Sequence, residues 1–256
     1  MARLFPSLKP WQVAAGATGL AALGGITALL LVPGTSSKRR KPNCREVGTE
    51  GGTLDGVRYL EHVTGGADPE ARLPMLIVFH SLGANPKGTA SFRSLPPTRV
   101  IRPFGLHTMG QGYRWWKTQA RGDQAELTRN MRGASKKLVP FVKDIAICRP
   151  TVGKPVVTGS SQGGMVAYML ATLAPDAVRG AVGVLGWLPE ALWDRGMAPT
   201  VGIHGTKDKT VNYAKTKAFA EAMGFPFYSF DAGHAIPKEM GRKWVQEVQK
   251  KLGHFT

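Results

Sequence analysis

The chain has 256 residues and a mass of 27.5 kDa, enough to bury one substantial core, and its 43% hydrophobic content excludes disorder over long stretches. Thirty-four Lys and Arg against 17 Asp and Glu give a net charge of +17, which favours anionic partners through a salt-screened attraction. No zinc-finger or aromatic-basic pattern accompanies that charge, so specific nucleic-acid binding is not expected.

Residues 1–11 form a short leader carrying Arg3 and Lys9. Residues 12–32, "QVAAGATGLAALGGITALLLV", hold no charge and reach the roughly 20 apolar residues that a membrane-spanning helix needs. An N-terminal hydrophobic helix serving as a retained anchor is expected there, with a secretory signal as the rival reading. Pro33 and Gly34 end it, and residues 33–45 read as a basic linker containing "SSKRRKP". Its charges suit anionic headgroups, at about 1 kcal/mol each near the surface. The positive-inside count places the downstream domain on the cytoplasmic side, whereas a signal-anchor reading places it outside. Cys44 and Cys148 lack any CxxC spacing, which argues against a structural metal. They would pair in an exported domain and stay as thiols in the cytoplasm.

From residue 46 to 256 apolar runs alternate with helical patterns. Strands are expected at 56–63, 73–80, 98–105, 154–159, 179–186, 199–205 and 226–232, and helices at 123–147, 163–175, 212–224 and 236–252. Pro140 falls inside the first helix, and Pro237 sits near the start of the last, where its missing N–H costs little. This rhythm implies a mostly parallel central sheet with helices on both faces, whose reactive loops leave the carboxyl ends of the strands.

Gly159-Ser160-Ser161-Gln162-Gly163 fits GxSxG between a buried strand and a helix. A sharp turn there exposes the Ser161 hydroxyl at the positive end of a helix dipole, with Ser160 as a packing residue. Asp208 follows the strand "PTVGIHG", and His234 lies in the loop after the last strand. The order Ser, Asp, His is that of an α/β-hydrolase triad, in which the imidazole takes and returns the serine proton while the carboxylate orients it. Asp231 is an alternative acid. "VFHSLGAN" (78–85) follows a buried strand and can supply backbone N–H groups to an oxyanion. His80 and His204 are read as structural. Trp115, Trp116 and Trp187 are candidates for lining a substrate pocket, against the more ordinary reading of aromatics as core. Between residues 87 and 143 twelve basic side chains face only Asp123 and Glu126, a solvated basic face or an anionic-surface binder.

Residues 72–252 resemble the α/β-hydrolase superfamily, and within it the phospholipase/carboxylesterase and acyl-protein thioesterase group. The residues carrying this are His80-Ser81-Leu82-Gly83, Gly159 to Gly163, "LGWLPE", "HGTKDKTV" and Gly233-His234. The resemblance implies oxyanion donors at the N–H groups of Leu82 and Gln162, and gives Trp187 its support as a pocket residue. It implies a serine esterase or thioesterase that needs no cofactor and acts on a small-molecule or lipid-like ester. Ser81 departs from the glycine usual at its place in that group. The alternatives are acyl transfer on the same triad, or a non-catalytic hydrolase-fold scaffold.

Overall fold

The computed structural model describes residues 41–88, 92–117 and 123–254. The hydrophobic stretch 12–32 lies outside these residues. No helix among the described residues is long and apolar enough to cross a membrane.

Nine strands form one sheet, in the spatial order β1 (Val47–Gly48), β2 (Gly51–Leu54), β3 (Val57–Val63), β5 (Arg99–Pro103), β4 (Met75–Phe79), β8 (Val156–Ser160), β9 (Gly180–Val184), β10 (Thr200–Gly205) and β11 (Phe227–Phe230). From β5 to β11 every pairing is parallel, while β1, β2 and β3 add an antiparallel edge. The expected mostly parallel sheet is therefore present. A separate hairpin joins β6 (His107–Met109) to β7 (Gly112–Arg114).

Parallel strands covered on both faces read as continuous apolar runs, and β4, "MLIVF", is buried at all five positions. Its side chains still alternate. Met75, Ile77 and Phe79 enter one core cluster, and Leu76 and Val78 enter the other. The first cluster is closed by α1 (Gln124–Cys148), by α2 (Gln162–Leu173) and by Phe219 of α3 (Tyr213–Met223); the second is closed by Met240, Trp244 and Val248 of α4 (Lys238–Leu252).

Helix α1 begins where Asp123 accepts a hydrogen bond from the Glu126 N–H at 2.9 Å, an N-cap that satisfies one of the first orphan donors. Pro140 does not break it. Its buried row of Leu127, Met131, Leu138, Phe141, Val142 and Ile145 holds the helix to the sheet across the lost hydrogen bond.

Two devices fasten the end of α1. Cys148 is disulfide-bonded to Cys44, so the pairing left open by the sequence is made. Next to it, Arg149 donates to both Glu61 oxygens at 3.0 Å. Glu61 also pairs with Arg99, and both Glu61 and Arg99 side chains are fully buried. Arg99 donates further to the Pro69 and Ala71 carbonyls, as such a buried charge requires.

Candidate active site

Strand β8 passes into α2 through a single residue, Ser161, whose torsions are φ 53° and ψ −121°. A non-glycine residue there is strained, and the surroundings hold it in place. Its N–H donates to the Val184 carbonyl at 2.8 Å, and its carbonyl accepts from the Met165 N–H at 3.1 Å. The turn is tight because α2 starts against β4: a Cβ on Gly163 would collide with the Phe79 carbonyl. GxSxG therefore has a steric cause here.

His234 follows β11, and its Nε2 lies 3.0 Å from the Ser161 Oγ. Its Nδ1 lies 2.7 Å from Asp208 Oδ2. An ionised carboxylate only accepts, so Nδ1 carries the hydrogen and Nε2 is left to accept the serine proton. Asp208 follows β10 and is buried. Its Oδ1 accepts the N–H groups of Thr210 at 2.8 Å and Val211 at 2.9 Å. Burial acts to raise the Asp208 carboxyl, but the His234 hydrogen bond and those two backbone donors outweigh it and hold it below the usual range. The structure thus brings Ser161, His234 and Asp208 into one line. Asp231 instead makes an exposed pair with Lys207 at 2.7 Å.

His204 carries a contact that its sequence position conceals. Its ring is fully buried, and Nε2 stands 3.0 Å from the Val211 carbonyl and 3.2 Å from Asp208 Oδ2. Both partners accept, so Nε2 bears the hydrogen. Burial holds this imidazole pKa below its ordinary value. The i,i+4 spacing of His204 and Asp208 in "HGTKD" is the signal that could have exposed the pair.

The loop after β4 lies across from the serine turn. Gly83 takes the left-handed conformation, φ 74°, and its N–H donates to the Tyr113 carbonyl at 2.8 Å. Ser81 is accommodated through its hydroxyl, 2.8 Å from that of Ser160, so Ser160 ties the two loops together. His80 is buried; its Nδ1 donates to the Ser81 carbonyl at 2.7 Å and its Nε2 accepts from the Gly105 N–H at 2.9 Å. Among the described residues, neither the Leu82 nor the Gln162 N–H donates to a backbone carbonyl, as expected for the first turn of a helix in the second case.

The three tryptophans separate. Trp115 is fully buried, stacked on His80 at 4.7 Å, with its indole N–H donating to the His80 carbonyl at 2.9 Å. It stands behind the loop after β4, its ring closed off from solvent. Trp116 is 5% exposed and faces a surface cleft. Trp187 packs at the margin of the first core cluster, with Lys215 Nζ 4.9 Å from its ring centre.

Residues 61–255 match the model of the phospholipase/carboxylesterase family. No curated protein is close enough in sequence to match the chain. Among solved structures, a Bacillus cereus carboxylesterase aligns with TM-score 0.62 and 19% identity, over 76% of this chain and 94% of its own. A Mesorhizobium loti carboxylesterase gives 0.62 and 16%, over 75% and 94%. A Zea mays acyl-protein thioesterase 2 gives 0.56 and 20%, over 75% and 99%. These similarities show the same fold.

Proposed function

The chain belongs to the phospholipase/carboxylesterase family of α/β hydrolases, and from that premise we propose that it cleaves a carboxylic ester or thioester through an acyl-enzyme formed on Ser161. The observation that carries this reading is the continuous path from Ser161 Oγ through His234 to Asp208, at 3.0 and 2.7 Å.

Ser161 Oγ attacks the carbonyl carbon as His234 Nε2 takes its proton. Asp208 stabilises the imidazolium and keeps its tautomer. The N–H groups of Leu82 and Gln162 receive the oxyanion; each such donor is worth roughly a hundred- to thousandfold in rate. His234 then protonates the departing alcohol or thiol. Water, deprotonated by the same nitrogen, releases the carboxylic acid and restores the serine. Nothing in this cycle calls for a metal or an organic cofactor, and acyl transfer differs only in replacing water with an alcohol.

The Cys44–Cys148 disulfide supports a domain that works in an oxidising compartment, on the exported side of a membrane tethered through residues 12–32.

A fluorophosphonate probe tests the reading. Labelling of the intact protein that vanishes in Ser161→Ala and persists in Ser160→Ala is the expected result. A folded protein that takes no label at all would sink the proposal in favour of a scaffold. Diversion of product by added glycerol would identify acyl transfer.

A further inference from the structure

Several basic side chains of this fold meet an acidic partner: Arg149 has Glu61, Lys207 has Asp231, Lys217 has Glu221 and Lys243 has Glu247. Others do not, and three of those gather in one place. Lys117, Arg129 and Lys137 line a cleft of about 510 Å³ together with Trp116, His107 and Asn130. None of the three cationic groups makes an ion pair or a side-chain hydrogen bond to a described residue, and among the described residues no Asp or Glu lines the cleft.

Other features mark this cleft as more than a solvated face. The Asn130 amide nitrogen is shielded from solvent and has no acceptor among the described residues, a cost unless something fills it. His107 is held below its ordinary pKa by burial, then by the charges of Lys117 and Arg114, a local sign of positive potential. The volume falls in the range of small-ligand sites, roughly 300–1,000 Å³.

One hydrogen bond ties the cleft to the serine turn. Its wall at Trp115 donates its backbone N–H to Gln162 Oε1 at 3.0 Å, and Gln162 follows the nucleophile. Gly56 and Leu106, at its other side, flank the start of β3 and the end of β5. Strand β5 lies two places from β8 in the sheet.

We propose that this cleft is an anion subsite, and that the substrate is an ester bearing a carboxylate or similar anionic group several bonds from the scissile carbonyl. Lys117, Arg129 and Lys137 supply charge, Asn130 supplies a neutral donor, and Trp116 packs against the apolar linker. The inference rests on the hydrolytic reading of Ser161 and adds the substrate class to it. It also gives a function to the basic excess between residues 87 and 143.

The test compares p-nitrophenyl monoesters of dicarboxylic acids of increasing length with their methyl-capped neutral counterparts. A parallel arm places the carboxylate on the leaving group, using 4-hydroxy-3-nitrobenzoate esters of neutral acids. At low ionic strength the expected preference in kcat/KM for the charged member of the favoured pair is about tenfold, and salt erodes it. The ratio falls towards unity in the Arg129→Gln/Lys137→Gln double variant and is retained in Lys154→Gln/Arg195→Gln, a charge-matched change at two exposed positions outside the cleft. Calorimetric titration of Ser161→Ala with the same esters reads affinity without turnover, and the charged ester binds more tightly. An active enzyme that handles both members alike in both arms, or keeps its preference in the double variant, overturns the anion subsite alone. Failure to turn over any ester, neutral ones included, overturns the hydrolytic reading and the subsite with it.

Discussion

Asp208 Oδ2 is shared by two imidazoles: His234 Nδ1 lies 2.7 Å away and His204 Nε2 3.2 Å away. The second ring never reaches the serine, yet it fixes the lone pair that the first one uses. Hydrogen bonds to charged groups are worth about 1.5–3 kcal/mol. His204→Leu is therefore expected to lower kcat by roughly 10- to 100-fold with little change in KM. His204→Gln, whose amide nitrogen reaches the place of Nε2, restores part of the loss. Equal kinetics for both variants would assign His204 a purely structural role.

Glu61 holds the Arg99 and Arg149 guanidinium groups at the edge of the sheet. Its removal leaves Arg99 buried without an opposite charge, a change that commonly costs about 3–5 kcal/mol. Glu61→Ala should move the urea midpoint down by that amount. Glu70, which meets Arg149 at 3.3 Å and is largely exposed, should cost less than about 1 kcal/mol when replaced by Ala.

The Cys44–Cys148 bridge closes a span of 104 residues. Chain-entropy reasoning gives about 3–5 kcal/mol for a loop of that size. The Cys44→Ser/Cys148→Ser protein, or the reduced wild type, is expected to unfold at correspondingly lower denaturant concentration. Coincident unfolding curves with and without reductant would contradict this.

Among the described residues neither ring nitrogen of His62 has a partner. Burial, then the charges of Arg102 and Arg93, bring its pKa down to about 4 from 6.5. A base held neutral in the fold takes up its proton first in the unfolded chain. Above pH 6.5 the group is neutral in both states. Between 6.5 and 4 the unfolded state binds more protons, so stability declines as pH falls and the loss is complete below 4. The contribution is at most ~3 kcal/mol, read as the part of the acid destabilisation missing in His62→Phe.

The sequence was most legible where periodicity and turn chemistry agreed. The buried runs at 73–80 and 154–159 appear as β4 and β8, each starting two residues later, with β4 ending one residue earlier and β8 one residue beyond. The GxSxG turn, the Asp208 loop and the His234 loop were each placed by a strand that precedes them, and their side chains lie 3.0 and 2.7 Å apart. Strands β1 and β2 and the β6–β7 hairpin were not read, because two to four residues rich in glycine or polar groups give no alternation to detect. Trp115 could not be told from a pocket residue, since its burial depends on the His80 ring from another strand. His204 was read as structural because its spacing to Asp208 becomes a contact only once the turn after β10 folds the two together.

The torsions of Ser161 hold a non-glycine residue in a strained backbone conformation. A glycine would sit there without complaint, and Ser161→Gly should melt higher, by about 1 kcal/mol, while losing all turnover. Screening this protein for heat resistance alone would therefore tend to erase the very hydroxyl on which its chemistry depends.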